Sequence, residues 1–195
     1  MLWRQALARP VKRTARLLGK QQEFTVNELN AKVRKYSEAI GLARADHVAN
    51  SYCNQCSAKM LKANYLDRSE NNQYDRIYEI THPDGKKEIL KIEAKGGSAP
   101  SYGTAQVGQN RRGDTVSAQQ GSKEYETHID RKMKEKYVKY ERMIDSLTTE
   151  QMEEFNRMKQ TRKALQNSDK VTYIGIEQRL DSDGHLHKSS IAFFN

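Results

Sequence analysis

One short turn fixes more of this chain than any other feature. Thr81-His82-Pro83-Asp84-Gly85-Lys86 lies between two strand-like runs, residues 74–80 and 87–94. Proline presets one backbone dihedral and glycine accepts a positive φ, so Pro-Asp-Gly folds the chain back into a hairpin. A hairpin centred on Asp84 sets Asp75 opposite Glu93. Directly opposed residues have Cβ atoms about 4.5–5.5 Å apart, and a slip of one residue would send each side chain to the other face.

The rest of the pattern mixes helices and strands. Asn27 is a candidate N-cap for a helix over 27–40 carrying Leu29, Val33, Tyr36 and Ile40, with Gly41 as its end. A second helix is predicted over 46–63, from Asp46 through Val48, Tyr52, Cys56, Met60 and Leu61. Residues 64–73 are polar, with Tyr65 and Leu66 as a short edge strand, and 96–114 reads as a long Gly-, Ser-, Asn- and Gln-rich loop. Ser122 caps a helix reaching 144, another spans 149–166, and a closing hairpin joins 171–178 to 186–194 through Asp181-Ser182-Asp183-Gly184. That order predicts a mixed α+β domain.

Composition narrows the partners. The 195 residues include 34 Lys and Arg against 25 Asp and Glu, a net charge of +9, with 36% hydrophobic residues. That is enough apolar material for a modest core, and the positive excess favours polyanionic partners. No apolar run approaches the roughly 18–20 residues of a membrane span, so no membrane partner is expected. Residues 1–20 carry six Lys and Arg and no acid. An amphipathic start of that kind occurs in transit peptides and membrane-surface helices, but residues 1–24 are read here as a basic linker ahead of a domain over 25–195.

Cys53 and Cys56 form a single C-x-x-C. Structural zinc normally takes four ligands and no second cysteine pair exists, while a redox role calls for a thioredoxin-like βαβ setting. The pair is expected to sit half-buried in a helix without function, and His82, His128, His185 and His187 show no ligand spacing.

The chemistry-bearing run is Lys87-Glu88-Ile89-Leu90-Lys91-Ile92-Glu93-Ala94-Lys95. Strand alternation puts Leu90, Ile92 and Ala94 on one face and Glu93 with Lys95 on the other. With Asp75 opposite Glu93, two carboxylates repel unless a cation lies between them, and a neighbouring ammonium completes a hard-oxygen metal site. An ordinary solvated sheet face shows the same residue types.

Taken with Tyr74-Asp75-Arg76-Ile77-Tyr78, the segments Ile92-Glu93-Ala94-Lys95-Gly96-Gly97 and Gln119-Gln120-Gly121-Ser122-Lys123-Glu124-Tyr125 make the chain resemble the PD-(D/E)xK nuclease superfamily. More narrowly, it is similar to restriction-endonuclease-like toxin domains of bacterial polymorphic and contact-dependent inhibition toxins. The resemblance covers about residues 25–195; Tyr74 stands where the family name has proline.

It implies a restriction-endonuclease-like core, a central mixed β-sheet flanked by helices with extra N-terminal helices. It implies Asp75 and Glu93 as ligands of Mg²⁺ or Mn²⁺, the Ala94 carbonyl completing the sphere, and Lys95 stabilising the phosphate or activating water. Gln119 or Gln120, with Gln120 preferred, would orient substrate or water, joined by Tyr125. Glu28 and Glu38 are both candidates for an extra ligand.

The function so implied is a DNase acting as the C-terminal toxin of a competition system, delivered from a bacterium as part of a larger carrier into the target cytoplasm. A cognate, acidic immunity protein would neutralise it. A tRNA-cleaving toxin of the same fold is the first alternative. Arg111, Arg112 and Lys123 flank the site as phosphate contacts. Arg131, Lys132, Lys134, Lys136, Lys139 and Arg142, interleaved with Tyr137 and Tyr140, read either as a nucleic-acid track or as a solvated helix face. A non-catalytic nucleic-acid-binding module is the reading of a different class.

Overall fold

A computed structural model describes residues 26–63 and 73–194. The chain divides into two units, Met1–Arg34 and Lys35–Asn195, and helical residues 26–34 belong to the first. The basic stretch 1–20 and the strand expected at Tyr65 and Leu66 lie outside the described residues.

The elements run α1 (Val26–Asn50), β1 (Ser57–Ala63), β2 (Arg76–Thr81), β3 (Lys87–Gly97), β4 (Thr104–Gln109), β5 (Thr115–Gln119), α2 (Lys123–Arg142), a 3₁₀ turn (Ile144–Ser146), α3 (Thr149–Gln166), β6 (Lys170–Leu180) and β7 (Leu186–Phe194). Five strands form one mixed sheet in the order β1-β2-β3-β6-β7, and β4 with β5 forms a separate two-stranded sheet. All neighbours in the large sheet are antiparallel except β3 and β6, which run parallel over ten register positions from Glu88↔Lys170 to Gly97↔Arg179. Parallel neighbours need a crossover, and the β4–β5 hairpin, α2 and α3 supply it.

The Pro-Asp-Gly turn behaves as its sequence dictates. Gly85 adopts φ +83°, His82 N–H donates to the Lys86 carbonyl at 2.9 Å, and Arg76 pairs with Ile92. Continuing that register one step brings Asp75 across from Glu93, and Asp75 N–H still donates to the Ile92 carbonyl at 3.0 Å.

β3 is buried on both faces. Leu90, Ile92 and Ala94 pack with Tyr78, Ile80, Ile174 and Ile176 against Leu42, Ala45, Val48 and Ala49 of α1. Ile77 and Ile89 face the other way, into a cluster with Leu61, Tyr74, Ala118, Tyr125, Ile129, Ala164 and Tyr173. Each aliphatic side chain so enclosed contributes about 1.5–3 kcal/mol.

Three expectations are corrected. Helix α1 does not stop at Gly41 but runs on to Asn50, because the missing Cβ serves packing rather than a cap. A Cβ on Gly41 would lie 2.8 Å from the Lys95 carbonyl carbon, and one on Gly96 would lie 2.2 Å from the Ser37 carbonyl oxygen. The two glycines let helix and strand backbones touch.

Asp46 does not begin a helix. It lies within α1 and grips β2, accepting from Arg76 Nε at 2.7 Å and from the Tyr78 hydroxyl at 2.8 Å. Beyond Asn50 the chain turns, and residues 57–63, expected as helix, form edge strand β1 paired with β2; hydrogen bonding to a sheet edge overrides the helical spacing of Met60 and Leu61.

The predicted loop 96–114 contains β4, whose hairpin with β5 turns through Asn110-Arg111-Arg112-Gly113. Gly113 takes φ +86° and the Asn110 side chain accepts from Arg112 and Asp114 N–H groups at 2.8 and 3.0 Å. The other helices follow expectation: Ser122 Oγ caps α2 by accepting from Tyr125 N–H at 3.2 Å, and Thr148 with Gln151 closes a capping box on α3.

The helix–strand contact yields a measurable consequence. Gly96→Ala is expected to lower stability by about 1–3 kcal/mol or more, since backbone must move. Gly108→Ala, whose added Cβ meets nothing within 4 Å, is expected to stay within about 0.5 kcal/mol; urea denaturation of both variants compares them.

Candidate functional site

Glu93 is a carboxylate enclosed in the protein, only 1% exposed. Strand alternation turns it to the face that α2 and the β4–β5 hairpin cover, so the charge that a surface hairpin would leave in water is held in the interior. Burial raises its pKa to about 8, with the nearby Asp75 charge as the second cause; Lys95, Tyr173 and Lys62 oppose the rise. Its Oε2 accepts from the Gln120 side-chain amide at 3.4 Å, whereas Oε1 is buried with no hydrogen-bond partner. The Tyr173 hydroxyl, although close enough to favour the ionised form, closes no hydrogen bond either.

Asp75 precedes β2, and its Oδ2 accepts from Ala94 N–H at 2.8 Å. That bond ties the carboxylate to the residue between Glu93 and Lys95. Lys95 is half-buried and lies across from Glu177 of β6.

Of the two helical candidates, Glu38 feels this cluster: its pKa is raised first by burial and next by Asp75, while Lys95 and Arg76 pull it down. The Gly41–Gly96 contact explains the proximity, since it presses this part of α1 onto the end of β3. Glu28 is exposed and belongs to the first unit. Glu38, Asp75 and Glu93 share one field without reaching the 4.8 Å mutual spacing found in two other ligand groups of the described residues.

Gln120 follows β5. Its amide N–H also donates to the Tyr125 hydroxyl at 3.3 Å, and its Oε1 accepts from Gly103 N–H at 3.2 Å. Gln119, at the end of β5, is exposed. Tyr125 is buried beneath the site, its hydroxyl pKa pushed up to about 12 by burial and then by Glu93.

Two tyrosines that sequence reading passed over complete the surround. Tyr102 and Tyr173 both have raised pKa values, burial being the main cause and Glu93 a contributor. Gly175 pairs with Glu93 across β3 and β6, and a Cβ there would lie 2.4 Å from the Tyr102 hydroxyl, so glycine makes the room that the ring occupies. Both tyrosines are remote in sequence from Glu93 and carry no spacing signal.

The expected phosphate contacts are dispersed. Arg111 and Arg112 sit exposed in the β4–β5 turn, about 17 Å of strand from Gln120. Lys123 is exposed and paired with Glu126 at 2.7 Å.

Along α2, Tyr137 and Tyr140 turn toward α3 rather than solvent. Tyr137 packs on Phe155 at 5.2 Å under the Arg162 guanidinium at 4.8 Å, and the Tyr140 hydroxyl donates to Glu154 at 2.9 Å. Arg131, Lys134, Lys139 and Arg142 line an open surface groove.

Lys91, also on the Glu93 face, went unnoticed in the sequence. It is buried, its ammonium 3.0 Å from Glu126 and 2.8 Å from Asp130, and 5.0 Å from the centre of the Tyr74 ring.

The arrangement can bind a cation or exchange a proton. Buried carboxylates with an unpartnered oxygen attract a positive ion, and a carboxyl titrating near neutrality can act as acid or base. No protein-family profile, no curated protein and no solved structure matches this chain.

The raised Glu93 pKa makes stability depend on pH. Between about 4.5 and about 8 the folded chain keeps a proton that the unfolded chain releases, so stability present below that window is lost as pH rises through it. Without divalent cations the loss is expected to reach a few kcal/mol, and Glu93→Gln is expected to remove that part of the slope in denaturation curves from pH 4 to 9.

Proposed function

We propose that the chain is a metal-dependent phosphodiesterase, a nuclease of the PD-(D/E)xK type whose metal ligands are Asp75 and Glu93. The observation that carries this reading is the buried Glu93 carboxylate beside Asp75, with one oxygen unpartnered and a Lys95 ammonium two residues on. A buried carboxylate beside a second, half-buried one is costly to ionise unless a cation is bound.

The fold supports the same reading. A mixed five-stranded sheet with α1 on one face and α2 on the other supports the flanked mixed sheet that the resemblance implies. The residues present fit Mg²⁺ or Mn²⁺: the donors would be carboxylate oxygens and the Ala94 carbonyl, and Mg²⁺ keeps several waters, so two or three protein oxygens suffice.

When bound, the ion lowers the pKa of its water and neutralises charge that develops on the phosphate. Around it, Asp75 and Glu93 hold ligand oxygens fixed, Asp75 through its bond from Ala94 N–H. Lys95 stabilises the developing phosphate charge. Gln120, held between Glu93 and Tyr125, fixes the orientation of the Glu93 carboxylate. Glu93 must be ionised to serve, so metal binding releases its proton.

The net charge of +9 suits a polynucleotide substrate, DNA first and tRNA second, and an acidic partner such as an immunity protein. Delivery as the tip of a larger bacterial carrier into a target cytoplasm belongs to the same proposal. The open groove with Arg131, Lys134, Lys139 and Arg142 favours one further reading, a nucleic-acid-binding module without catalysis.

Plasmid DNA and total tRNA, each incubated with the chain in Mg²⁺, Mn²⁺ or EDTA, test the proposal. Cleavage is expected only with metal and is expected to fall at least about 10²-fold in Glu93→Ala and Lys95→Ala. Glu38→Gln is expected to cost more than Glu28→Gln. Binding in a gel shift with intact nucleic acid in every metal would instead favour the non-catalytic module.

A further inference from the structure

The C-x-x-C pair is not in a helix. Cys53 and Cys56 lie in the loop between α1 and β1, joined by a disulfide, and Gln55 between them is the one non-glycine residue with positive φ, 63°, among those described. That turn folds both sulfurs toward His82, which comes from the β2–β3 hairpin. His82 Nδ1 is 3.7 Å from Cys53 Sγ and 3.5 Å from Cys56 Sγ, and the three ligand atoms lie within 4.8 Å of one another.

The other ring nitrogen is already committed. His82 Nε2 lies 3.2 Å from Glu88 Oε2, and Glu88 is buried. Its other oxygen accepts from Tyr52 at 3.2 Å, from Thr172, and from Lys170 at 3.1 Å. A carboxylate so supplied with donors holds the Nε2–H tautomer and turns the Nδ1 lone pair to the sulfurs. Carboxylate–histidine pairs orient metal-binding imidazoles in this way.

From this geometry we propose a second metal site: Cys53, Cys56 and His82 bind Zn²⁺ when the disulfide is reduced, and the disulfide closes the site. Reduction by a thiol or phosphine passes two electrons and two protons to the sulfurs, breaking the S–S bond, and the reductant is itself oxidised. Zn²⁺ then displaces the two thiol protons and forms two Zn–S bonds and one Zn–N bond. Water fills the fourth tetrahedral position, as at three-ligand zinc sites.

The site ties the α1–β1 loop to the β2–β3 turn. Glu88, behind it, is five residues along β3 from Glu93, roughly 17 Å, so the inference stands apart from the nuclease reading.

Co²⁺ reports on thiolate ligation by its charge-transfer absorption and tests the proposal on the full chain. The chain is reduced with a phosphine, freed of reductant without air, and titrated with Co²⁺ and then Zn²⁺. One equivalent of Co²⁺ is expected to give the thiolate band, Zn²⁺ to displace it, and Zn²⁺ to raise Tm. The same chain left oxidised is expected to give no band, which serves as a folded control.

His82→Ala and Glu88→Gln are expected to weaken binding, the second about 10–100-fold, while Glu93→Gln keeps the band. Absence of the band in the reduced chain, a His82→Ala chain that binds Co²⁺ as tightly as the parent, or a band that disappears in Glu93→Gln, would overturn the proposal.

Discussion

The fold is organised around an ionisable strand held in the interior. β3 sits in the middle of the five-stranded sheet with α1 on one face and α2 on the other, yet it carries Glu88, Lys91, Glu93 and Lys95 among its aliphatic residues. Desolvating a charge costs several kcal/mol unless something compensates it, so each of these side chains demands a partner from elsewhere in the chain. The surroundings of β3 follow from how that demand is met.

The three fully buried ones, Lys91, Glu88 and Glu93, meet it differently. Lys91 is neutralised by Glu126 and Asp130 of α2, which fixes the helix over the sheet. Glu88 is surrounded by donors from Tyr52, His82, Lys170 and Thr172. Glu93 has one long hydrogen bond, from Gln120, and burial with the Asp75 charge outweighs Lys95, Tyr173 and Lys62, raising its pKa to about 8. Among the charged residues of β3, Lys91 and Glu88 are met by opposite charges or donors, whereas Glu93, beside Asp75 and Lys95, keeps one oxygen without a hydrogen bond.

Glycines decide how closely the surroundings approach. Gly41 and Gly96 bring α1 onto the end of β3, and Gly175 opens space for Tyr102 beside Glu93. In sequence, Gly41 resembles a helix stop, because glycine ends helices and also permits close contact. Only the packing distinguishes the two uses. The Met60-Leu61 strand departs from its helical spacing for a related reason: short apolar spacing fits a helix or an edge strand, and the choice lies with the neighbouring strand that supplies hydrogen bonds.

Much was legible locally. Pro83-Asp84-Gly85 set the hairpin register that brings Asp75 and Glu93 together, Ser122 and Thr148 marked helix starts, and the closing hairpin lay where Asp181-Ser182-Asp183-Gly184 indicated. These features depend on dihedral preferences and hydrogen bonds within a few residues, which a sequence states directly. The burial of Glu93, the nearness of Glu38 to Asp75 and Lys95, the enclosing tyrosines and the Cys53–Cys56–His82 cluster were decided by tertiary structure alone. Each depends on segments distant in the chain meeting at one place, and dielectric surroundings exist only once they have met.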